Sequence, residues 1–121
     1  KYKDLECVWT GAAIRKKFDV DHVIPFDLWR NNDVWNLLPA SPQANAKKSN
    51  KLPSLALLRR RKHQICRYWT ALRAHNRPQF DKEAQTLITL EDENWADLLF
   101  GELCAAIEVT ALQRGIVRWN G

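Results

Sequence analysis

Residues 18–24, FDVDHVI, alternate apolar and polar side chains, which is the period of a half-buried strand. Pro25 ends that run. Upstream, LECVWT at 5–10 predicts a short strand closing at the Thr10-Gly11 turn. Downstream, 26–33 contains the turn-prone Asn31-Asn32-Asp33, and VWNLL at 34–38 predicts a second strand before Pro39. Ser41-Pro42 then has the signature of a helix N-cap followed by proline at the first helical position. This short helix should run to about Ser49, before Asn50 and Pro53. The predicted order is strand, loop, strand, short helix.

The pattern then becomes helical. Ser54 caps a long helix reaching about His75, with Leu55, Leu58, Ile65, Tyr68, Trp69 and Leu72 at helical spacing. Four cations at 59–62 interrupt the stripe and demand an exposed face. Asn76-Arg77-Pro78 breaks the helix, and 80–88 predicts another. A last helix starts at Glu91 or Asp92 and stops at Gly115. The tail at 116–119 reads as a short strand or a loose end. The pattern contains no repeat and no low-complexity segment.

Composition narrows the class. At 121 residues and 45% hydrophobic, the chain fits one domain with a real core and is too apolar for disorder. No stretch approaches the roughly 18 apolar residues of a membrane span, and no charged-then-apolar leader is visible. No membrane partner is expected. The chain has no Met and begins at Lys1, so we expect a domain excised from a larger protein. Three widely spaced cysteines, Cys7, Cys66 and Cys104, form no C-x-x-C pair, which favours a reducing, cytoplasmic setting. Cys66 and Cys104 fall in helical patterns and read as small core residues.

The net charge of +5 is unevenly spread. Residues 1–33 balance. Residues 34–80 hold ten basic groups and no acid, while 81–110 hold eight acids and one base. The cationic block has the footprint of a polyanion binder. Its other reading is a helix face neutralised by the acidic block packed nearby. Under the first reading Lys47, Lys51, Arg59, Arg60, Arg61 and Lys62 contact nucleic acid.

The sharpest chemistry lies in Asp21-His22 at the end of the first strand, Asn36 on the second and Asn45 on the short helix. A neutral imidazole can take a proton. Asp21 and Asn45 supply hard oxygen donors, which suit Mg²⁺ or Mn²⁺ rather than Zn²⁺. No carboxylate lies between Asp33 and Asp81, so a two-metal site is not expected. Lys48, three residues after Asn45, shares its helix face and can contact the same phosphodiester. Strand neighbours point to opposite faces, so Asp21 and His22 can both reach a metal only if the strand twists or bulges. Trp29, in the intervening loop, is a candidate for base stacking.

The run Cys7-x-Trp-Thr-Gly, then FDVDHVIPF, then WNLLPASPQANAKKSNKLPS resembles an HNH nuclease of the ββα-metal type over residues 7–54. It is most similar to the HNH domains of RNA-guided CRISPR effector nucleases, sharing the Asp-His pair, two Asn nine residues apart and the N-x-x-K-S-[DN]-x-x-P-S ending from Asn45 to Ser54. The resemblance implies that Asp21 and Asn45 bind the metal, that His22 is the general base, that Asn36 braces the hairpin loop and that Lys48 aids the phosphate. It also implies a hydrolase of antiviral defence. Many HNH domains carry two C-x-x-C pairs for structural zinc. Here those pairs read Cys7-x-x-Thr10 and Ser41-x-x-Ala44, so we expect no structural zinc. The third motif position is Asn, giving an H-N-N form.

The expected architecture is α+β: a ββα-metal hairpin–helix core over 5–54 and a helical extension over 54–115, together one domain over 1–121. The expected activity is endonucleolytic hydrolysis of DNA by a His base and one Mg²⁺ or Mn²⁺. The alternatives are a nucleic-acid-binding module that kept the fold without the reaction, and a domain whose helices dock onto a larger protein or effector complex.

Overall fold

The computed structural model describes residues 5–121; Lys1 and the other first positions of the expected domain lie outside the described residues. The chain is α+β. Strand β1 (Asp19–His22) pairs antiparallel with β2 (Leu37–Ala40), His22 opposite Leu37 and Asp19 opposite Ala40. Helix α1 (Pro42–Lys48) follows at once. Ser41 is extended and its Oγ accepts from the Ala44 amide at 3.2 Å, while Pro42 occupies a position where no N–H is needed.

A short strand β3 (Leu52–Pro53) leads into α2 (Leu55–His75), then come α3 (Arg77–Ala84), α4 (Trp95–Arg114) and β4 (Arg118–Trp119). β3 and β4 pair in parallel. Ser54 Oγ both caps α2, accepting from the Leu57 amide at 3.1 Å, and donates to Asn120 Oδ1 at 2.6 Å. The tail is thereby tied to the start of α2. One apolar cluster runs from Cys7 to Ala111 and includes Trp35, Trp69, Phe80 and Leu103. Trp69 Nε1 donates to the Trp35 carbonyl at 2.7 Å, so α2 grips the segment just before β2. Burial pushes the Cys66 thiol up to about 11.

Several elements differ from the sequence reading. Residues 5–10 are not a strand: a single bridge joins Glu6 to Ala13, and Gly11 at φ +78 turns the chain back. Val34–Asn36 form a 3₁₀ turn rather than the start of the second strand. The Asn36 amide is used to close that turn onto the Asp33 carbonyl, so the ladder begins only at Leu37. It then runs through Pro39, tolerated in a two-stranded sheet where its carbonyl accepts from the Val8 amide at 2.9 Å. α3 starts at Arg77 because the Asn76 side chain caps it and Pro78 suits its first turn. α4 starts at Trp95, since Asp92 is used in a turn that accepts from the Asn94 amide.

The most informative difference is in β1. An alternating strand should bury Val20 and expose Asp21. The reverse occurs: Val20 is 56% exposed and Asp21 only 6%. The ladder is regular, without a bulge. The aspartate can sit inside because two buried donors meet it there.

Candidate active site

Those donors are Trp9 and Lys48. Trp9 Nε1 donates to Asp21 Oδ2 at 2.7 Å, and Lys48 Nζ lies 3.3 Å from the same oxygen. Trp9 is set by the loop that Gly11 turns. Lys48 is set by α1, which packs on the Asp19/Asp21 face of β1. Burial pushes the Asp21 carboxyl up, and the Lys48 ammonium draws it part of the way back. Burial likewise pushes the Lys48 ammonium down, against the pull of Asp21. Oδ1 of Asp21 accepts no hydrogen bond from the described residues.

Lys48 was expected beside a phosphate. It is instead wholly buried, donating to the His22 carbonyl at 2.8 Å with its Nζ 5.7 Å from the Trp9 ring centre. It shares the β1-facing side of α1 with Asn45, as the three-residue spacing requires, but it lies under the strand. A fully enclosed ammonium is not available to a phosphodiester, so Lys48 acts on the strand that carries the site.

Asp21, His22 and Asn45 line one open cleft of about 220 Å³, together with Phe26, Asp27 and Asn50. Asp21 is the buried one of the three and His22 is half-buried. β1 ends at His22 and the chain bends at once, so the last strand residue reaches the cleft beside its buried neighbour without a bulge. Asn45 Nδ2 donates to Asp19 Oδ2 at 2.9 Å. That bond fixes which way the carboxamide faces and leaves Asn45 Oδ1 without a donor among the described residues.

His22 Nε2 lies 2.7 Å from Asn32 Oδ1. An Nε2–H donating to that oxygen is the tautomer that leaves the lone pair on Nδ1, where a base needs it. Phe26 packs against the imidazole at 5.5 Å between ring centres, and Arg30 covers Phe26 in turn at 5.9 Å.

Asn36 does not enter the cleft. It is fully buried, accepting from the Ile24 amide at 2.9 Å and donating to the carbonyls of Ile24 at 3.2 Å and Asn31 at 3.1 Å. One side chain thus holds both ends of the loop that carries Phe26 and Asn32 onto His22. Trp29 lies in that loop but turns away, half-buried against Trp35 at 5.6 Å.

The cationic run on α2 divides. Arg61 clamps the first loop, with Nε donating to the Val8 carbonyl at 2.7 Å and its guanidinium against Gly11. Lys62 pairs with Asp97 at 3.1 Å and lies over the Phe100 ring. Arg60 donates to the Asn120 carbonyl at 2.9 Å. Arg59, Lys47 and Lys51 are exposed. For Arg61, then, the structure favours the packing reading over a phosphate role, whereas Lys62 pairs with Asp97 at an exposed site. Elsewhere the acidic block does the same for other cations, through Asp81 with Arg73 and Arg77, and Glu108 with Arg118.

The positions that read as degenerate C-x-x-C pairs do come together. Burial pushes the Cys7 thiol up, but hydrogen bonds with Thr10 and Ser41 outweigh it and hold the thiol below its ordinary value. Among the described residues, no group of three or more His, Cys, Asp or Glu side chains is arranged to hold a metal. The oxygen pair of Asp21 and Asn45 falls below that count, since an amide is not in it.

Four residues of the site were not picked out from sequence: Trp9, Asp19, Phe26 and Asn32. Asp19 could have been found, since it lies two before Asp21 and must share its strand face. Trp9 and Asn32 could not, because their contacts depend on how two loops close.

Residues 7–54 match a family model described as HNH endonuclease. No curated protein and no solved structure matches the chain.

Proposed function

Taking an HNH segment at residues 7–54 as the premise, we propose that this chain is an endonuclease that hydrolyses DNA phosphodiester bonds with the help of one divalent cation, Mg²⁺ or Mn²⁺. The observation that carries this reading is the shared cleft of Asp21, His22 and Asn45. The donor chemistry fits the cation: the two oxygens left without donors, Asp21 Oδ1 and Asn45 Oδ1, are hard ligands of the kind Mg²⁺ takes. Asp21 and Asn45 would hold it. When bound, such an ion supplies positive charge beside the scissile phosphate.

The chain's own residues supply the rest. His22 Nδ1 takes a proton from water as the water oxygen bonds to phosphorus; the P–O3′ bond breaks, and the departing 3′ oxygen takes a proton from solvent to become a hydroxyl. Asn32 keeps the imidazole in the tautomer that can do so, and Phe26 restricts its tilt. Asp19 orients the Asn45 carboxamide. Asn36 keeps the loop closed, and Lys48 anchors the strand by its bond to the His22 carbonyl. Exposed Lys47, Lys51 and Arg59, with Arg60 at the helix surface, meet backbone phosphates.

A plasmid-nicking assay with Mg²⁺ tests this. His22→Ala should lower cleavage about 10²–10⁴-fold, the usual worth of a general base, while DNA affinity measured in Ca²⁺ stays near wild type. Near wild-type cleavage by the variant would remove His22 from the role. The second reading, a module that kept the fold and lost the reaction, draws on Lys48 already neutralising Asp21. It predicts DNA binding with no nicking by the wild-type protein.

A further inference from the structure

Ser49 is the only residue other than glycine at positive φ among the described residues, at φ 50 and ψ −131. Its own amide closes α1 onto the Asn45 carbonyl at 2.9 Å, and the Lys51 amide reaches back to the Lys48 carbonyl at 3.0 Å. Residues 48–51 are therefore a β-turn with Ser49 at the first central position, in the backbone conformation of type II′. That conformation presses a Cβ against the backbone, so glycine is the usual occupant. At Gly11 and Gly115 the chain meets positive φ with glycine; at 49 it does not.

The turn is fixed from both sides. Lys48 before it is enclosed at the end of α1, and Leu52 after it is buried at the start of β3. The conformation is thus imposed on whatever residue stands at 49, and a side chain there costs stability that glycine would not lose. Nothing inside the fold offsets that cost. Asn and Asp tolerate positive φ by bonding locally to the backbone, whereas the Ser49 hydroxyl has no hydrogen-bond partner among the described residues. It is exposed and lines the cleft of Asp21, His22 and Asn45. Asn50 lines the cleft beside it, also exposed, and its carboxamide is likewise without a partner among the described residues.

The wall that α1 and its turn give the cleft, Asn45, Ser49 and Asn50, carries no acid. The carboxylates of the cleft, Asp21 and Asp27, come from β1 and the loop after it. Exposed Lys47 and Lys51 flank the turn, so its surroundings attract an anion. Lys48, the cation that helix spacing directs toward a phosphate, is enclosed under the strand, which leaves neutral donors to make the contact on this wall. Hydroxyl and carboxamide groups are common donors to phosphate oxygens. We propose that the Ser49 hydroxyl, with the Asn50 carboxamide beside it, donates to a non-bridging phosphate oxygen of the DNA strand in the cleft, and that serine stands in this strained position for that contact. The proposal rests on the reading of the cleft as a DNA site, but not on catalysis there.

Ser49→Gly separates the contact from the fold, because it moves affinity and stability in opposite directions. Binding is read by the anisotropy of a fluorescein-labelled DNA duplex in Ca²⁺, and stability by thermal denaturation. The variant should melt about 3 °C higher, as the strain is relieved. It should bind about 10-fold more weakly, the worth of one hydrogen bond to a charged oxygen. The slope of log K against log salt should not change, since no cation is lost. Ser49→Ala should lose the same affinity without the gain in melting temperature. Wild-type affinity in Ser49→Gly or in Ser49→Ala would overturn the proposal and leave the nuclease reading in place. A wild-type protein that binds the duplex but never nicks DNA with Mg²⁺ would sink the nuclease reading, while weaker binding by Ser49→Gly would still support the contact. A wild-type protein with no affinity for the duplex would overturn both.

Discussion

Replacing Lys48 by Met keeps the length of the side chain and removes its charge. In the wild-type protein the ammonium is wholly enclosed, 3.3 Å from Asp21 Oδ2 and 2.8 Å from the His22 carbonyl. The variant therefore leaves a buried carboxylate with only the Trp9 donor, and a strand carbonyl without its donor. Breaking a buried pair from one side costs about 3–5 kcal/mol. Asp21 can escape part of that by taking a proton, so the lower end, about 3 kcal/mol, is expected near neutral pH. For a chain of this size that is a fall of about 10 °C in melting temperature. Had Lys48 pointed into the open cleft, the same change would cost under about 0.5 kcal/mol.

The pH dependence has a definite sign. Burial already raises the Asp21 carboxyl, and Lys48 opposes that rise. Without Lys48 the carboxyl climbs further above its unfolded value. A raised carboxyl favours the folded state below the unfolded value and loses that advantage as pH rises through the folded one. The variant should thus regain stability on moving from about pH 8 toward about pH 5, the range in which a buried carboxyl can protonate. Adding Asp21→Asn to Lys48→Met removes the stranded charge, so the double variant should be more stable than Lys48→Met alone at about pH 8. Urea denaturation followed by circular dichroism, run across that pH range, measures all three quantities. A loss below about 1 kcal/mol in Lys48→Met, or a double variant no better than the single one, would refute the buried-pair argument.

Asn36→Ala removes three hydrogen bonds and leaves the buried Ile24 amide unpaired, so it should cost about 2–3 kcal/mol by chemical denaturation; a loss under about 0.5 kcal/mol would deny the brace. Arg61→Ala should lower the melting temperature, because it frees the Val8 carbonyl and the first loop. Arg59→Glu should leave stability unchanged but weaken DNA binding and lower the slope of log K against log salt by about one unit; equal slopes would deny Arg59 a phosphate. EDTA should stop cleavage and Mg²⁺ or Mn²⁺ restore it, while the fold survives the chelator. Tightly held zinc by elemental analysis would overturn the reading of Thr10, Ser41 and Ala44 as lost ligands.

Much of this architecture follows from local rules that a sequence carries openly. Ser41-Pro42 and Ser54 start helices because a short side-chain oxygen can cap their first amides. Gly115 ends α4 because it accepts φ +60 at no steric cost. Asp21, His22, Asn36 and Asn45 stand out by type and spacing, and the helix period alone sets Lys48 on the Asn45 side. What the sequence could not decide is which of these groups meets solvent. The alternation in β1 argues for an exposed Asp21, yet Trp9 and Lys48, 12 residues before it and 27 after it, converge to make its burial tolerable. The run at 59–62 looks like one cationic patch, but Arg61 is tied to the Val8 carbonyl with Glu6 3.9 Å away, and Lys62 pairs with the Asp97 carboxylate of α4. Asn32 reaches His22 Nε2 only because Asn36 closes the loop between them. Caps, turns and periods are fixed within a few residues. Burial and pairing depend on contacts across the whole chain, and only the closed tertiary structure brings those together.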